Sequence, residues 1–407
     1  MKVLGLVAEY NPFHNGHKYH IEKSKENSNC DYTLALMSGN FVQRGEPAII
    51  DKWSRAKMAI DNGIDLVLEL PTLYSSSSAE FFSYGAIKLL DSLNIIDSIC
   101  FGSESNDIDS FIKIANILVK EPEEFKINLK ERLKEGVDFP TARSYALSKT
   151  LPYNDKIFHI MNSPNNILAI EYIKWLIKLN SSIKPKTIQR INSSYNQKKL
   201  SGRISSATSI RKHLITEGFT DSVKNTMPYS NFEIISTYLR EYGNYNSIFN
   251  FNDILLYKLR TVNKNYLKNI LDVKEGLHNR ILDISNYHDN IIDIISGIKT
   301  KRYTHTRIQR ILMHILLDIH FERHEILNFK PYARILASNQ KGFEILKEIK
   351  KKSDVPIINK VANHRYNNDP CFQLDIRSSN IYFLGVKNNT NIKNNFDYYI
   401  SPYIKTK

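Results

Sequence analysis

Val3-Leu4-Gly5-Leu6-Val7-Ala8, running directly into Glu9-Tyr10-Asn11-Pro12-Phe13-His14-Asn15-Gly16-His17, is the stretch that decides the fold. The apolar run predicts a buried strand, Asn-Pro a tight turn, and the residues beyond it a helix start. A strand that turns straight into a helix opens a βαβ unit, and in an open α/β sheet ligands bind beyond the carboxyl ends of the strands. A helix N-terminus there offers N–H groups to a phosphate, and Gly16 lets the backbone come close. His14 and His17 are three residues apart, so they share one face of the first turn and aim at the same anion. The pattern suits a triphosphate.

Outward from this turn the same rhythm repeats. Short apolar runs at Tyr32–Met37, Asp65–Leu70, Ile99–Gly102 and Pro185–Ile191 alternate with helix-period segments at Trp53–Asn62, Ala79–Leu93 and Ile108–Lys120. This predicts a doubly wound, Rossmann-like α/β domain with a parallel sheet over residues 1–220. Beyond it, Asp253–Leu259, Leu277–Ser285, Tyr287–Ser296 and Arg307–His320 read as helices, which predicts a mainly helical region over 221–330. A small α/β tail is expected over 331–407, with a helix at Gln340–Lys352 and strands at Val355–Ile358 and Ile381–Val386.

Composition narrows the function. The 407 residues are 42% hydrophobic and 24% charged, ordinary globular usage for two or three domains. The net charge of +14 favours a polyanionic partner. Cys30, Cys100 and Cys371 lie too far apart in sequence for a CxxC zinc or redox site. No apolar run is long enough for a membrane helix, and Glu9 interrupts what would be a signal peptide, so the chain reads as cytoplasmic. His320 and His324 have a spacing that can bind zinc, but HFERH is not HExxH and no third ligand is apparent; no protein-held metal is expected.

A second phosphate motif should lie at the far end of the same domain, because one loop cannot hold a whole triphosphate. Ile204-Ser205-Ser206-Ala207-Thr208-Ser209-Ile210-Arg211 offers hydroxyls, an N-cap and a cation one turn in. The pair resembles the HxGH and ISSTxxR-type elements of the nucleotidyltransferase superfamily, whose His side chains stabilise the phosphates as pyrophosphate leaves. Further stretches are SGNFVQRGEP at 38–47, KWSRAKMA at 52–59, DLVLELP at 65–71, FGSE at 101–104 and PNNILAIEYIKWL at 164–176. With KRYTHTRIQRILMHILL at 301–317, PYARILASNQKGFEIL at 331–346 and LDIRSSNIYFL at 374–384, they are similar to the tRNA(Met) cytidine acetate ligase family over nearly the whole chain.

The resemblance implies a ligase that forms a carbon–nitrogen bond. Acetate attacks the α-phosphorus of ATP to give acetyl-adenylate and pyrophosphate, and the wobble cytidine amine of elongator tRNA(Met) then takes the acetyl group, giving 4-acetylcytidine. It implies catalytic roles for His14, His17, Ser206, Thr208 and Arg211. The ATP site would be Val7, Ala8, Glu9, Tyr10, Asn11, Pro12, Phe13, His14, Asn15, Gly16, His17, Lys18, Tyr19 and His20, with Gly102, Asn165, Arg190 and Ile191. Gly102 reads either as a place where adenine or ribose packs on backbone or as a strand-end turn. Asn165 reads as a nucleotide ligand or a helix cap, and the choice between Asn165 and Asn166 stays open. Magnesium is expected with ATP and no membrane or DNA partner is expected.

Charge points to RNA independently. Lys299–Lys352 holds thirteen Lys or Arg against five Asp or Glu, and Tyr303, His305 and Tyr332 interleave aromatics that could stack on bases. Two other functions fit parts of the pattern. A small-molecule adenylyltransferase leaves the basic helical half unexplained, and a non-catalytic RNA-binding protein leaves the intact phosphate motifs unexplained.

Overall fold

A computed structural model describes residues 1–406 apart from 152–153, 192–199, 201, 275, 365–367 and 389–394. The strands are β1 (Val3–Ala8), β2 (Tyr32–Ser38), β3 (Phe41–Val42), β4 (Glu46–Pro47) and β5 (Leu66–Leu70). They continue with β6 (Ser98–Ser103), β7 (Lys184–Gln189), β8 (Ala333–Ser338), β9 (Ile357–Ile358) and β10 (Tyr403–Ile404). The main sheet runs β10-β8-β5-β2-β1-β6-β7, with β9 on β8, while β3 and β4 form a separate hairpin. From β5 to β7 every pairing is parallel. β2 and β5 are almost wholly buried, which is why they read as unbroken apolar runs: helices cover both faces.

The chain leaves β1 toward β2 on one side and returns to β6 on the other. That reversal opens a crevice at the carboxyl ends of β1 and β6, where doubly wound folds take their ligands. Helix α1 (Asn15–Ser28) starts at its mouth, and helix α2 (Lys52–Asp61) begins at Asp51, whose carboxylate accepts from Trp53 N at 2.8 Å and Ser54 N at 2.9 Å.

One sequence expectation for the last segment is corrected. Ile381–Val386 is not a strand: it ends the helix Pro370–Tyr382 and continues as the 3-10 turn Phe383–Gly385. The helix is launched by Asp369, which caps Cys371 and Phe372, and by Pro370 at its first position. The strand of this segment is instead Ala333–Ser338, all six residues buried, pairing antiparallel with β5. Residues 331–407 therefore add β8, β9 and β10 to the sheet that the N-terminal half begins.

A buried ionic cluster fastens this addition. Lys52 Nζ lies 2.8 Å from Glu69 and 3.4 Å from Asp397, and Arg334 lies 2.9 Å from Asp397 and 3.3 Å from Glu69. Beside it Asp375 accepts from Thr72 N and from the Tyr332 hydroxyl, both at 2.6 Å. Burial pushes the Asp375 carboxyl up to about 7, helped by Glu69 and opposed by Lys52.

Candidate active site

A cleft of about 830 Å³ opens at the β1/β6 crevice. The turn after β1 builds one wall. Tyr10 stands at φ 46 and the Asn11–Pro12 peptide is cis. Asn11 Oδ1 accepts from Ile49 N at 2.8 Å, which ties the turn to the chain after β4. Arg55, fully buried on α2, donates to Glu9 O at 2.7 Å, Ser38 O at 3.0 Å and Ile50 O at 3.1 Å, and also to Gly39 O. One guanidinium thus satisfies carbonyls at the ends of β1 and β2 and holds the crevice open. It does so without an acidic partner among these bonds.

His14 is the N-cap of α1. Its Nδ1 accepts from Gly16 N at 3.0 Å, and His17 Nδ1 accepts from His14 N at 3.3 Å, a reciprocal capping box made by two imidazoles. Their rings stack with centroids 3.8 Å apart. Burial, with Arg190 and Arg211 nearby, pushes His14 down to about 3. Burial, with His14 and Arg190, holds His17 far below the usual range, and burial with Arg190 brings His20 down to about 4. Both capping rings are therefore neutral, and since each Nδ1 accepts from a backbone N–H, each Nε2 carries the proton. The pair presents two uncharged donors to the cleft.

This corrects the expectation that the helix N-terminus itself offers N–H groups. Asn15 N donates to Thr226 O at 2.9 Å, Gly16 N to the His14 ring, and His17 N and Lys18 N to His14 O. The first amides of α1 are spent, which leaves the histidine Nε2–H groups as the donors of this turn. Glu9 faces the same space; its carboxylate accepts from Gln43 N at 3.0 Å and burial pushes its pKa up.

The second motif forms as the spacing predicts. Ser206 caps the helix Ala207–Thr216, accepting from Ser209 N at 3.1 Å, and Ile204, Ser205 and Ser206 line the cleft. Arg211 joins the motifs rather than lining the cleft: its guanidinium donates to Asn11 O at 2.8 Å, pairs with Glu46 at 2.7 Å and reaches the exposed Thr208 hydroxyl at 3.4 Å. Asn15 Nδ2 donates to Arg203 O at 2.9 Å and bridges the same junction.

Gly102 is not a turn residue: it sits inside β6 opposite Ile188. A Cβ there would stand 3.0 Å from the Arg190 side chain and 3.4 Å from His20, so its bareness keeps cleft space open. Arg190 and Ile191 follow β7 and line the cleft, Ile191 being 44% exposed. Asn165 lines the cleft, and its Nδ2 donates to Glu104 at 2.6 Å. Asn166 is buried and its Oδ1 accepts from Glu104 N at 2.9 Å and Ser105 N at 3.3 Å, so it shapes the loop after β6. Of the residues from Val7 to His20, Asn11, Pro12 and Phe13 build the turn behind the cleft, and Asn15 and the exposed Lys18 stand on α1 outside its lining.

Two of the expected stacking aromatics are corrected. Tyr303 and Tyr332 are buried, Tyr332 with its hydroxyl committed to Asp375, while His305 is exposed. Within the basic run Arg334 belongs to the buried cluster and Arg310 lines the cleft; Lys301 and Arg302 are exposed. His320 lies past the end of the helix His305–Leu317 and His324 on a separate short helix, so the two do not share a helical face. Sequence reasoning missed Arg55 and Glu104, for which a charged residue inside the recognised stretches at 52–59 and 101–104 was the available signal, and it grouped Arg310 with Lys301, Arg302 and Arg307 as a tRNA contact, whereas Arg310 lines the cleft.

A crevice at the strand-order reversal, an HxGH turn and a facing Ser-rich helix cap define a nucleotidyltransferase. The HIGH Nucleotidyl Transferase family matches residues 1–397. The tRNA(Met) cytidine acetate ligase of Clostridium perfringens (strain SM101 / Type A) is 46% identical, covering 99% of this chain and 100% of its own. That of Thermoanaerobacter sp. (strain X514) is 47% identical, covering 96% and 97%. Thermotoga maritima TmcAL, at 34% identity and full coverage of both chains, superposes with a TM-score of 0.95 in its apo form and 0.93 when bound with alpha-thio ATP. The chain belongs to the tRNA(Met) cytidine acetate ligase family.

Proposed function

We propose that this protein activates acetate with ATP and transfers the acetyl group to the wobble cytidine of elongator tRNA(Met), forming 4-acetylcytidine. The observation that carries the reading is the convergence of both phosphate motifs on one cleft in a chain related end to end to such ligases.

In this reading His14 and His17 hold the triphosphate through Nε2–H. Neutral donors bind the ground state modestly and gain strength as charge collects on departing pyrophosphate, which is how a preorganised donor favours a transition state. Ser206, with Ser205, holds the other side; Thr208 and Arg211 fix that cap against the Asn11 turn. Asn165, Gly102, Arg190 and Ile191 border the nucleoside. Among the described residues no group of three or more His, Cys, Asp or Glu is placed to hold a metal. Magnesium would therefore enter on the triphosphate, with phosphate and water as its ligands. Residues 1–220 would run the chemistry and 221–330 would seat the tRNA through exposed basic side chains such as Lys301. Among the described residues no helix is long and apolar enough to cross a membrane.

The test is incubation with ATP, labelled acetate and bacterial tRNA, followed by nucleoside analysis. Label in 4-acetylcytidine is the expected result. Label released only as a free adenylate, or no acetate-dependent pyrophosphate release, would overturn the reading in favour of a small-molecule adenylyltransferase.

A further inference from the structure

The cleft holds more cations than the nucleotide motifs use. Arg143 lies 2.6 Å from Glu171, Lys174 2.5 Å from Glu171, and Arg323 3.0 Å from Glu80, so each of these cleft residues has a carboxylate partner. Arg310 differs. It lines the same cleft and, among the described residues, forms no salt bridge with a carboxylate, while its Nε, like that of Arg143, is buried with no hydrogen-bond partner. Burial weakens its hold on the charge; Asp272 offsets this in part and Arg307 adds to it. A guanidinium held in such a place carries a desolvation cost that an incoming anion would relieve.

Its position is enforced by two contacts of the helix that carries it, His305–Leu317. One turn further on, His314 is fully buried, with one ring nitrogen 2.9 Å from Ser76 O and the other 3.0 Å from Leu271 O, which fixes the rotation of the helix. On the other side the turn between β3 and β4 presses on the helix backbone. Gly45 stands at φ +78, and a Cβ on it would lie 2.3 Å from Arg310 N and 2.5 Å from the Gln309 carbonyl carbon. Only glycine meets both the left-handed φ and that approach. The same turn reaches the phosphate motifs: Gln43 N donates to Glu9, and Glu46 pairs with Arg211. Arg310 is thus indexed to the nucleotide site through the four residues Gln43 to Glu46 of the hairpin.

We propose that Arg310 is the carboxylate-binding residue of the cleft, gripping the acetate that attacks ATP. The inference rests on the proposed function, in which acetate is the one anion that the His14/His17 and Ser206 elements do not serve. In that step one carboxylate oxygen donates an electron pair to the α-phosphorus, and the bond from that phosphorus to the bridging oxygen breaks. Pyrophosphate leaves with the bonding pair, and no proton moves. Arg310 holds the second, non-attacking oxygen and so orients the first. Arg310 lines the cleft that a small anion can enter, whereas a backbone phosphate of RNA meets exposed side chains such as Lys301.

Acetate-dependent ATP–pyrophosphate exchange, measured without tRNA on the full chain, tests this. Arg310→Gln should raise the KM for acetate about tenfold to a hundredfold, the range for loss of a charge-assisted hydrogen bond, with ATP and tRNA affinities within about twofold of the parent. Arg310→Lys keeps the charge but not the fork and should fall between. It also decides the matter should Arg310→Gln melt early. A parental acetate KM in Arg310→Lys and Arg310→Gln, or a loss confined to ATP or to tRNA affinity, would overturn the assignment. Parental enzyme showing no acetate-dependent exchange would instead sink the proposed function, so the two failures are distinct.

Discussion

The two ends of the sheet treat charge in opposite ways. Under β5 and β8, Lys52, Glu69, Arg334 and Asp397 close on one another, all four side chains buried. At β1 and β6 the histidines are kept neutral, Glu9 is pushed toward its protonated form, and Arg310 Nε lacks a partner among the described residues. The first arrangement pairs its charges with one another, although Asp397 Oδ1 finds no hydrogen-bond partner among the described residues; the second leaves Arg310 without a carboxylate. Polar groups that satisfy each other specify architecture, and polar groups left short of partners beside a cavity specify binding.

The contrast can be broken most forcefully at the closed end. Lys52→Met removes one partner from Glu69 and Asp397 and should cost about 3–5 kcal/mol, the usual price of stranding a buried charge. Chemical denaturation measures it, and a loss below about 1 kcal/mol would show that Arg334 alone compensates. At the open end the effect should appear in rate rather than stability. His14→Asn keeps an N-cap acceptor for Gly16 N but loses the Nε2 donor, so adenylate formation should slow by about a hundredfold while the melt hardly moves. His14→Ala should lose about 1 kcal/mol of stability as well, because the cap goes with the ring. A His14→Asn variant with parental pyrophosphate release would remove His14 from the reaction.

Acid and base separate the ends further. His14 at about 3 and His20 at about 4 lie below the ordinary 6.5, so the unfolded chain binds more protons between those values. Their contribution to stability is full above 6.5 and is lost as pH falls toward 4. Asp375 at about 7 lies above the ordinary 3.8, so there the folded chain binds more protons, and stability is lost as pH rises through that window. Asp375→Asn should therefore gain on the parent from pH 4 to pH 7, and His14→Asn should gain on it from pH 6.5 down to pH 4. Thermal melts across that range give both slopes; differences flat with pH would refute them. The smallest effect belongs to the surface. Lys301→Ala should leave tRNA-free exchange unchanged and reduce the log-log salt slope of tRNA binding by roughly one if that side chain meets a phosphate.

Much of the open end is legible in sequence because its elements are local. A six-residue apolar run, Asn-Pro, and His-x-Gly-His state a strand, a turn and a helix within seventeen positions, and Ser206 three before Ser209 states a cap. What stays hidden is long-range. Nothing near Ala333–Ser338 announces a partner strand more than 260 residues earlier, and the apolar run at Ile381–Val386 imitates a strand because its helix is buried on several sides. The spent amides of α1 are equally invisible, since Thr226 O lies far along the chain. Arg310 looks like one more member of a basic run until Gly45 is seen against its backbone.

The late arrival of β8 and β10 shapes how this protein is made. During synthesis the N-terminal domain emerges first, with β5 as an uncovered apolar edge and Lys52 facing Glu69 alone, a state open to pairing with a neighbouring chain. Arg334 reaches it only after the helical region has left the ribosome, and Asp397 and β10 later still. A nascent chain released early keeps both phosphate motifs but lacks the strand that seals the sheet. Sealing of the sheet thus follows synthesis of both phosphate motifs by more than a hundred residues.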